Sequence, residues 1–143
     1  MAISQAVTNS FKSEILQGIH DLESGGDTFQ LALYTSVATL SSATTSYTTS
    51  NEVAASGEYA AGGGVLQSQQ VSLATGGVAI VDFADLSFTG VTLTARGALI
   101  YNTTESNKAV CVLDFGSDKT ATSGTFTIQF PQFTSTAAIL RIA

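Results

Sequence analysis

One histidine, one cysteine and a handful of closely spaced aspartates are the residues of this chain whose types could do chemistry. Acyl transfer would need His20 as general base beside a hydroxyl or thiol nucleophile, held by a carboxylate. His20 sits between Ile19 and Asp21, and the sharp Gly-x-Ser-x-Gly turn that exposes a serine nucleophile occurs nowhere. The spacing instead predicts a helix-surface histidine near a helix C-terminus, where the helix dipole favours it. Cys111 lies between Val110 and Val112, which predicts a small buried hydrophobe rather than a nucleophile. One histidine and one cysteine would leave carboxylates to supply half the ligands of a structural zinc site, which is not its usual composition.

Asp114-Phe115-Gly116-Ser117-Asp118 places two carboxylates and a serine in one short run, and Asp82 and Asp85 form a second acidic pair. A calcium loop would need a third carboxylate and a closing glutamate, and both are missing. Aspartates that bond their own turn backbone account for the same letters, so a cation near Asp114 and Asp118 is left open. Asp114-Phe115-Gly116 also spells a kinase motif, but no glycine-rich loop, Val-Ala-Ile-Lys strand or His-Arg-Asp loop accompanies it. Gly62-Gly63-Gly64 precedes Val65-Leu66 rather than Lys-Ser or Lys-Thr, and so reads as flexible backbone and not a phosphate loop. Asn102-Thr103-Thr104 matches a glycosylation acceptor; without a secretory signal it reads as a polar hairpin tip. These residues give no catalytic, cofactor-binding or metal site, and the reading is of a protein that is not an enzyme and has no small-molecule substrate.

The composition bounds the partners. Charged residues make up 11% of 143 residues, against about 25% in an average soluble protein, and the mean hydropathy is +0.28. Ser and Thr supply the polar surface in place of charge, and part of that surface is expected to be covered by other protein subunits. The net charge of −6 repels phosphate backbones and anionic lipid. Lys12, Arg96, Lys108, Lys119 and Arg141 are scattered, so neither nucleic acid nor a membrane is an expected partner. No run approaches the ~18 apolar residues of a spanning helix. Met1–Lys12 lacks the basic start and apolar core of a signal peptide, which predicts a chain made and used in the cytosol.

The elements that must position these residues read as mainly β: an antiparallel, jelly-roll-like β-sandwich with one N-terminal amphipathic helix. Residues 1–9 are an N-terminal arm, and 10–143 one sandwich domain whose leading helix covers about 10–24. Phe11, Ile15, Ile19 and Leu22 recur at three- and four-residue spacing, with Lys12, Ser13, Gln17 and Asp21 opposite. Ser10 or Asn9 would cap this helix and Gly25-Gly26 would end it. That stripe is the candidate oligomer or capsid contact. Phe29–Tyr34 and Val65–Leu73 read as strands, Thr35–Ser50 as an exposed loop between them. Val78–Phe83, Leu86–Phe88 and Val91–Ala95 follow as short strands, with Thr89-Gly90 as a break. Ala98–Tyr101 and Ala109–Leu113, apolar at nearly every position, form a central hairpin. Gly116–Gly124 reads as a polar turn, Thr125–Phe130 as a half-buried strand closed by Pro131, and Ala137–Ile142 as a last strand.

Phe29-Gln-Leu-Ala-Leu-Tyr-Thr-Ser, Asn51-Glu-Val, Tyr59-Ala-Ala-Gly-Gly, Val81-Asp-Phe-Ala-Asp, Ala95-Arg-Gly-Ala-Leu-Ile-Tyr-Asn, Ala109-Val-Cys-Val-Leu-Asp-Phe-Gly and Ile139-Leu-Arg-Ile-Ala, taken in this order, resemble a family of small tailed-bacteriophage structural proteins. The resemblance covers most of the chain from Phe11 onward and implies a virion component, a capsid decoration or cement protein that binds between major capsid subunits and stabilises the shell. It carries no catalytic residue. The expected partners are the major capsid protein and copies of the chain itself, as a homotrimer placed on the capsid surface after synthesis in the host bacterial cytoplasm. The alternatives are a tail or tail-fibre component and, in another class, a carbohydrate-binding β-sandwich that would use Tyr34, Tyr47, Tyr59 and Tyr101.

Overall fold

A computed structural model describes residues 2–131 and 138–142 of the chain. In chain order its elements are β1 (Ala6–Val7), α1 (Asn9–Leu16), β2 (Phe29–Tyr34), β3 (Gly64–Val65), β4 (Gln70–Ala74), β5 (Val78–Asp82), β6 (Leu86–Asn102), β7 (Lys108–Ile128) and β8 (Leu140–Ile142). They form two antiparallel sheets, one ordered β1-β7-β6-β2-β3 and the other β4-β5-β8. The fold is mainly β with one short helix, as the patterning predicts.

The hairpin of β6 and β7 is the centre of the larger sheet. Ala98 pairs with Leu113, Leu99 with Val112 and Ile100 with Cys111, and β2 lies on the other side of β6 with Leu31 opposite Ile100. Strands flanked on both edges and packed on both faces have nowhere to place a polar side chain, which is why these runs are apolar throughout. The front face presents Phe29, Leu31, Leu33, Ala98, Ile100 and Val110 to a core shared with Val81 and Leu140 of the smaller sheet. The back face presents Ala32, Tyr34, Leu99, Tyr101 and Val112 to a second cluster with Ile3, Ala38 and Leu40.

Five local expectations are corrected. The short strands at 86–88 and 91–95 join through irregular pairing into the single strand β6, and the polar run Gly116–Gly124 is strand as well. Thr94 pairs with Thr120 and Ser87 with Thr127, each hydroxyl pair 2.9 Å apart. Threonine is β-branched and suits a solvent-facing strand as well as a turn, so polarity alone cannot separate the two. The loop after β2 is not wholly exposed, since Ala38 and Leu40 are buried in the back cluster. β3 and β4 are separate short strands, because Ser68 takes a left-handed φ of 56° between them. The arm is woven in: Ile3 bridges Leu40, and Ala6 and Val7 pair with Val112 and Cys111. Met1 and Ala137, assigned by sequence to the arm and the last strand, lie outside the described residues.

The helix is half the expected length. Thr8 caps it, its Oγ1 accepting from the Phe11 N–H at 3.3 Å while its own N–H donates to Val110 O at 3.0 Å. Gly18 closes it with φ +73°. The Ile19 N–H returns to Glu14 O at 3.0 Å and the Gly18 N–H to Ile15 O at 3.2 Å, the pair of bonds that ends a helix on a left-handed residue. Gly25-Gly26 is therefore not the stop, and Ile19, His20 and Leu22 lie beyond the helix.

Candidate interaction surface

The short helix and the smaller sheet together enclose an open apolar groove of about 550 Å³. Phe11, Ile15, Leu16 and Leu22 line one wall; Val71, Ala79, Val81, Leu140 and Ile142 line the other, with Val7 of β1 also contributing. The sheet wall follows from register. Val71 pairs with Val81 and Leu73 with Ala79, while Ala79 and Val81 pair with Ile142 and Leu140, so alternate positions of three strands put an unbroken apolar face toward the helix. Lys12, Asp21, Glu23 and Arg141 supply its charged groups. Of the four residues expected to make contacts, Phe11 and Leu22 are buried in the core, Ile15 is half-buried in the groove wall, and Ile19 is half-buried without lining it. Leu16, next to Ile15 at the end of the helix, is 89% exposed, and Leu73 is 74% exposed.

His20 also lines the groove but is committed to structure. Its Nδ1 lies 2.9 Å from Asn102 Nδ2 and its Nε2 2.9 Å from Glu14 Oε1. The Asn102 Oδ1 accepts the N–H groups of Thr104 and Glu105, and its amide also donates to Asp27 Oδ2 at 2.8 Å. The amide is thereby fixed as donor to Nδ1, which leaves the ring proton on Nε2, donated to Glu14. Both nitrogens are engaged, and neither partner is a hydroxyl or thiol. The expected helix-surface histidine is thus buried, and Asn102 is a fully buried residue rather than a free hairpin tip.

The other sequence candidates resolve similarly. Arg96 stands between the two aspartates proposed for a cation, its Nε 3.8 Å from Asp114 Oδ1 and its Nη1 3.6 Å from Asp118 Oδ1. Asp114 Oδ1 also accepts the Gly116 N–H at 2.9 Å, the local turn bond that the spacing suggests. Among the described residues no group of three or more His, Cys, Asp or Glu is placed to hold a metal ion. Cys111 is buried, which pushes its thiol up to about 12.

Tyr34, Tyr59 and Tyr101 are fully buried, so their rings offer no face for a sugar. Their hydroxyls, with that of Tyr47, are tied internally around Glu52. The Glu52 carboxylate accepts from Tyr47 at 2.5 Å, from Tyr59 at 2.7 Å and from the Gly62 N–H at 2.7 Å. Tyr101 donates to Gly62 O at 2.6 Å and Tyr34 to Thr48 O at 2.6 Å. Burial raises the pKa of all four hydroxyls, that of Tyr101 to about 12. No part of the sequence reading identifies Glu52 as the hub, because its partners Tyr47, Tyr59 and Gly62 come from irregular chain on either side of it, where no periodicity sets which side chains meet.

No family model, no curated protein and no solved structure matches the chain. The site is therefore read from its own geometry. It is an open apolar groove, with Lys12, Asp21, Glu23 and Arg141 as its charged groups.

Proposed function

We propose that this chain is a non-enzymatic virion structural protein, a capsid cement or decoration protein that binds between major capsid subunits and stabilises the shell. The observation that carries the reading is the open apolar groove between α1 and the smaller sheet, with Leu16 at 89% exposure beside it. An apolar surface of this kind is retained where another protein covers it. The resemblance of the motif series to small tailed-bacteriophage structural proteins supports the virion setting. The engagement of His20, Cys111 and the tyrosine hydroxyls in internal bonds or in the core supports a role without chemistry. Cryo-electron microscopy of the phage particle tests the proposal. Density for hundreds of copies on the shell, with the groove against a capsid subunit, is the expected result. A handful of copies confined to the tail would replace it with the tail-component reading.

A further inference from the structure

Among the described residues, four strands end the two sheets, β1, β3, β4 and β8, and of these only one lacks protection along its outer edge. β1 and β3 have two residues each, and β8 has three with Arg141 at its centre. Shortness and charge are the ordinary protections of an edge whose backbone N–H and C=O groups would otherwise pair with another strand. β4 has neither. Gln70-Val71-Ser72-Leu73-Ala74 is five residues long, without charge or proline, and its pairing with β5 runs unbroken by a bulge. Gln70, Val71, Ser72 and Leu73 are all exposed.

We propose that β4 pairs antiparallel with β4 of a second copy about a twofold axis at Ser72, joining the two three-stranded sheets into one of six strands. The strand spells its own complement. With Ser72 opposite the second copy's Ser72, Val71 falls opposite the second copy's Leu73, and Gln70 opposite its Ala74. Residues directly opposite share a face, so Val71 and Leu73 of both copies meet on the apolar face and cover one another. An isologous contact of this kind closes after two copies. Charge selects a copy over a generic partner only in a permissive sense: two chains of −6 repel at long range, but β4 brings no ionisable group to the axis. Salt screens that repulsion, so the association strengthens with ionic strength. The twofold pair takes the place of the trimer expected from shell symmetry. It stands whether or not the chain sits on a capsid, so this test and the particle test fail separately.

Sedimentation velocity on the purified full chain, up to about 100 μM, decides it. The wild type is expected to move from monomer to dimer, more readily at high salt. Ser72→Lys and Ser72→Glu each put like charges face to face on the axis and should weaken the dimer at least about fivefold. An equimolar mixture of the two should recover it, because only opposed copies then pair. Ser72 is exposed, and circular dichroism melts at monomer concentrations check that each variant folds. A wild type that stays monomeric or forms a trimer, a dimer no weaker in Ser72→Lys than in the wild type, or folded variants whose mixture fails to recover would each overturn the proposal.

Discussion

At the scale of single residues, stability rests on a few polar groups placed where water cannot replace them. Glu52 gathers two tyrosine hydroxyls and one backbone N–H. Its removal strands three donors at once, each worth about 1–3 kcal/mol where it stays dry. Glu52→Ala should therefore cost about 3 kcal/mol in urea unfolding, less than the full sum because the carboxylate is half-buried and water reaches part of the site. Glu52→Gln, which keeps one carbonyl acceptor, should cost about half as much. A loss in the alanine variant under about 0.5 kcal/mol would show that the hub is incidental. Asp82 is the opposite case. Among the described residues its Oδ1 is buried without a hydrogen-bond partner, and burial raises its pKa above 3.8, aided by Asp85 and opposed by the Phe83 N–H. A carboxyl with a raised folded pKa binds its proton more tightly when folded, so its contribution is favourable in acid and lost as pH rises through that folded pKa. Asp82→Asn should melt higher than wild type at pH 7, and the gap should close as pH falls below 3.8. A gap that widens in acid would contradict this assignment.

At the scale of elements, backbone fit decides where strands and helices stop. Gly62-Gly63-Gly64 is not loose chain. A Cβ on Gly63 would stand 1.7 Å from Leu31 O, on a strand held between β3 and β6, at a φ of +84°. Gly76 has the same φ in the turn between β4 and β5 but nothing within 4 Å of its imagined Cβ. The two glycines separate backbone strain from collision. Gly76→Ala should cost about 1 kcal/mol, the price of the left-handed conformation alone, whereas Gly63→Ala should cost more than about 4 kcal/mol or prevent folding. Equal melting temperatures for the two variants would mean that β3 can move off β2. The helix follows the same logic: Thr8 and Gly18 define eight residues because they satisfy its end groups, while the apolar spacing that continues to Leu22 belongs to a segment packed on the core.

At the scale of the whole molecule, the central hairpin of the larger sheet is buried on both faces, and Cys111 lies on it with 4% exposure. Its thiol, pushed up to about 12 from 9.0, stays protonated and enclosed at pH 8. A thiol reagent should modify it only when the sheet opens, so that labelling and loss of far-ultraviolet circular dichroism rise together across a urea series. Rapid labelling in native buffer would show that the sheet opens locally. The same shift makes the fold lose stability above pH 9, where the unfolded chain ionises first.

The sequence by itself determined the β class, the central hairpin, the strand at Phe29–Tyr34 and the interior place of Cys111, because each is written in the local pattern of apolar and polar side chains. Its spacing also predicted Phe11, Ile15, Ile19 and Leu22 as one contact stripe; Phe11, Ile15 and Leu22 line the groove and Ile19 does not. Tertiary structure alone decided the rest. Thr120 is strand only because Thr94 lies opposite it, and Asn102 is buried only because His20 and Asp27 meet it from far along the chain. Glu52 is a hub because Tyr47, Tyr59 and Gly62 converge on it. The exposure of Leu16 and the unguarded edge at β4 depend on which surfaces remain once every other element has been placed. Periodicity reports the face a residue prefers; what covers that face is a property of the assembled chain.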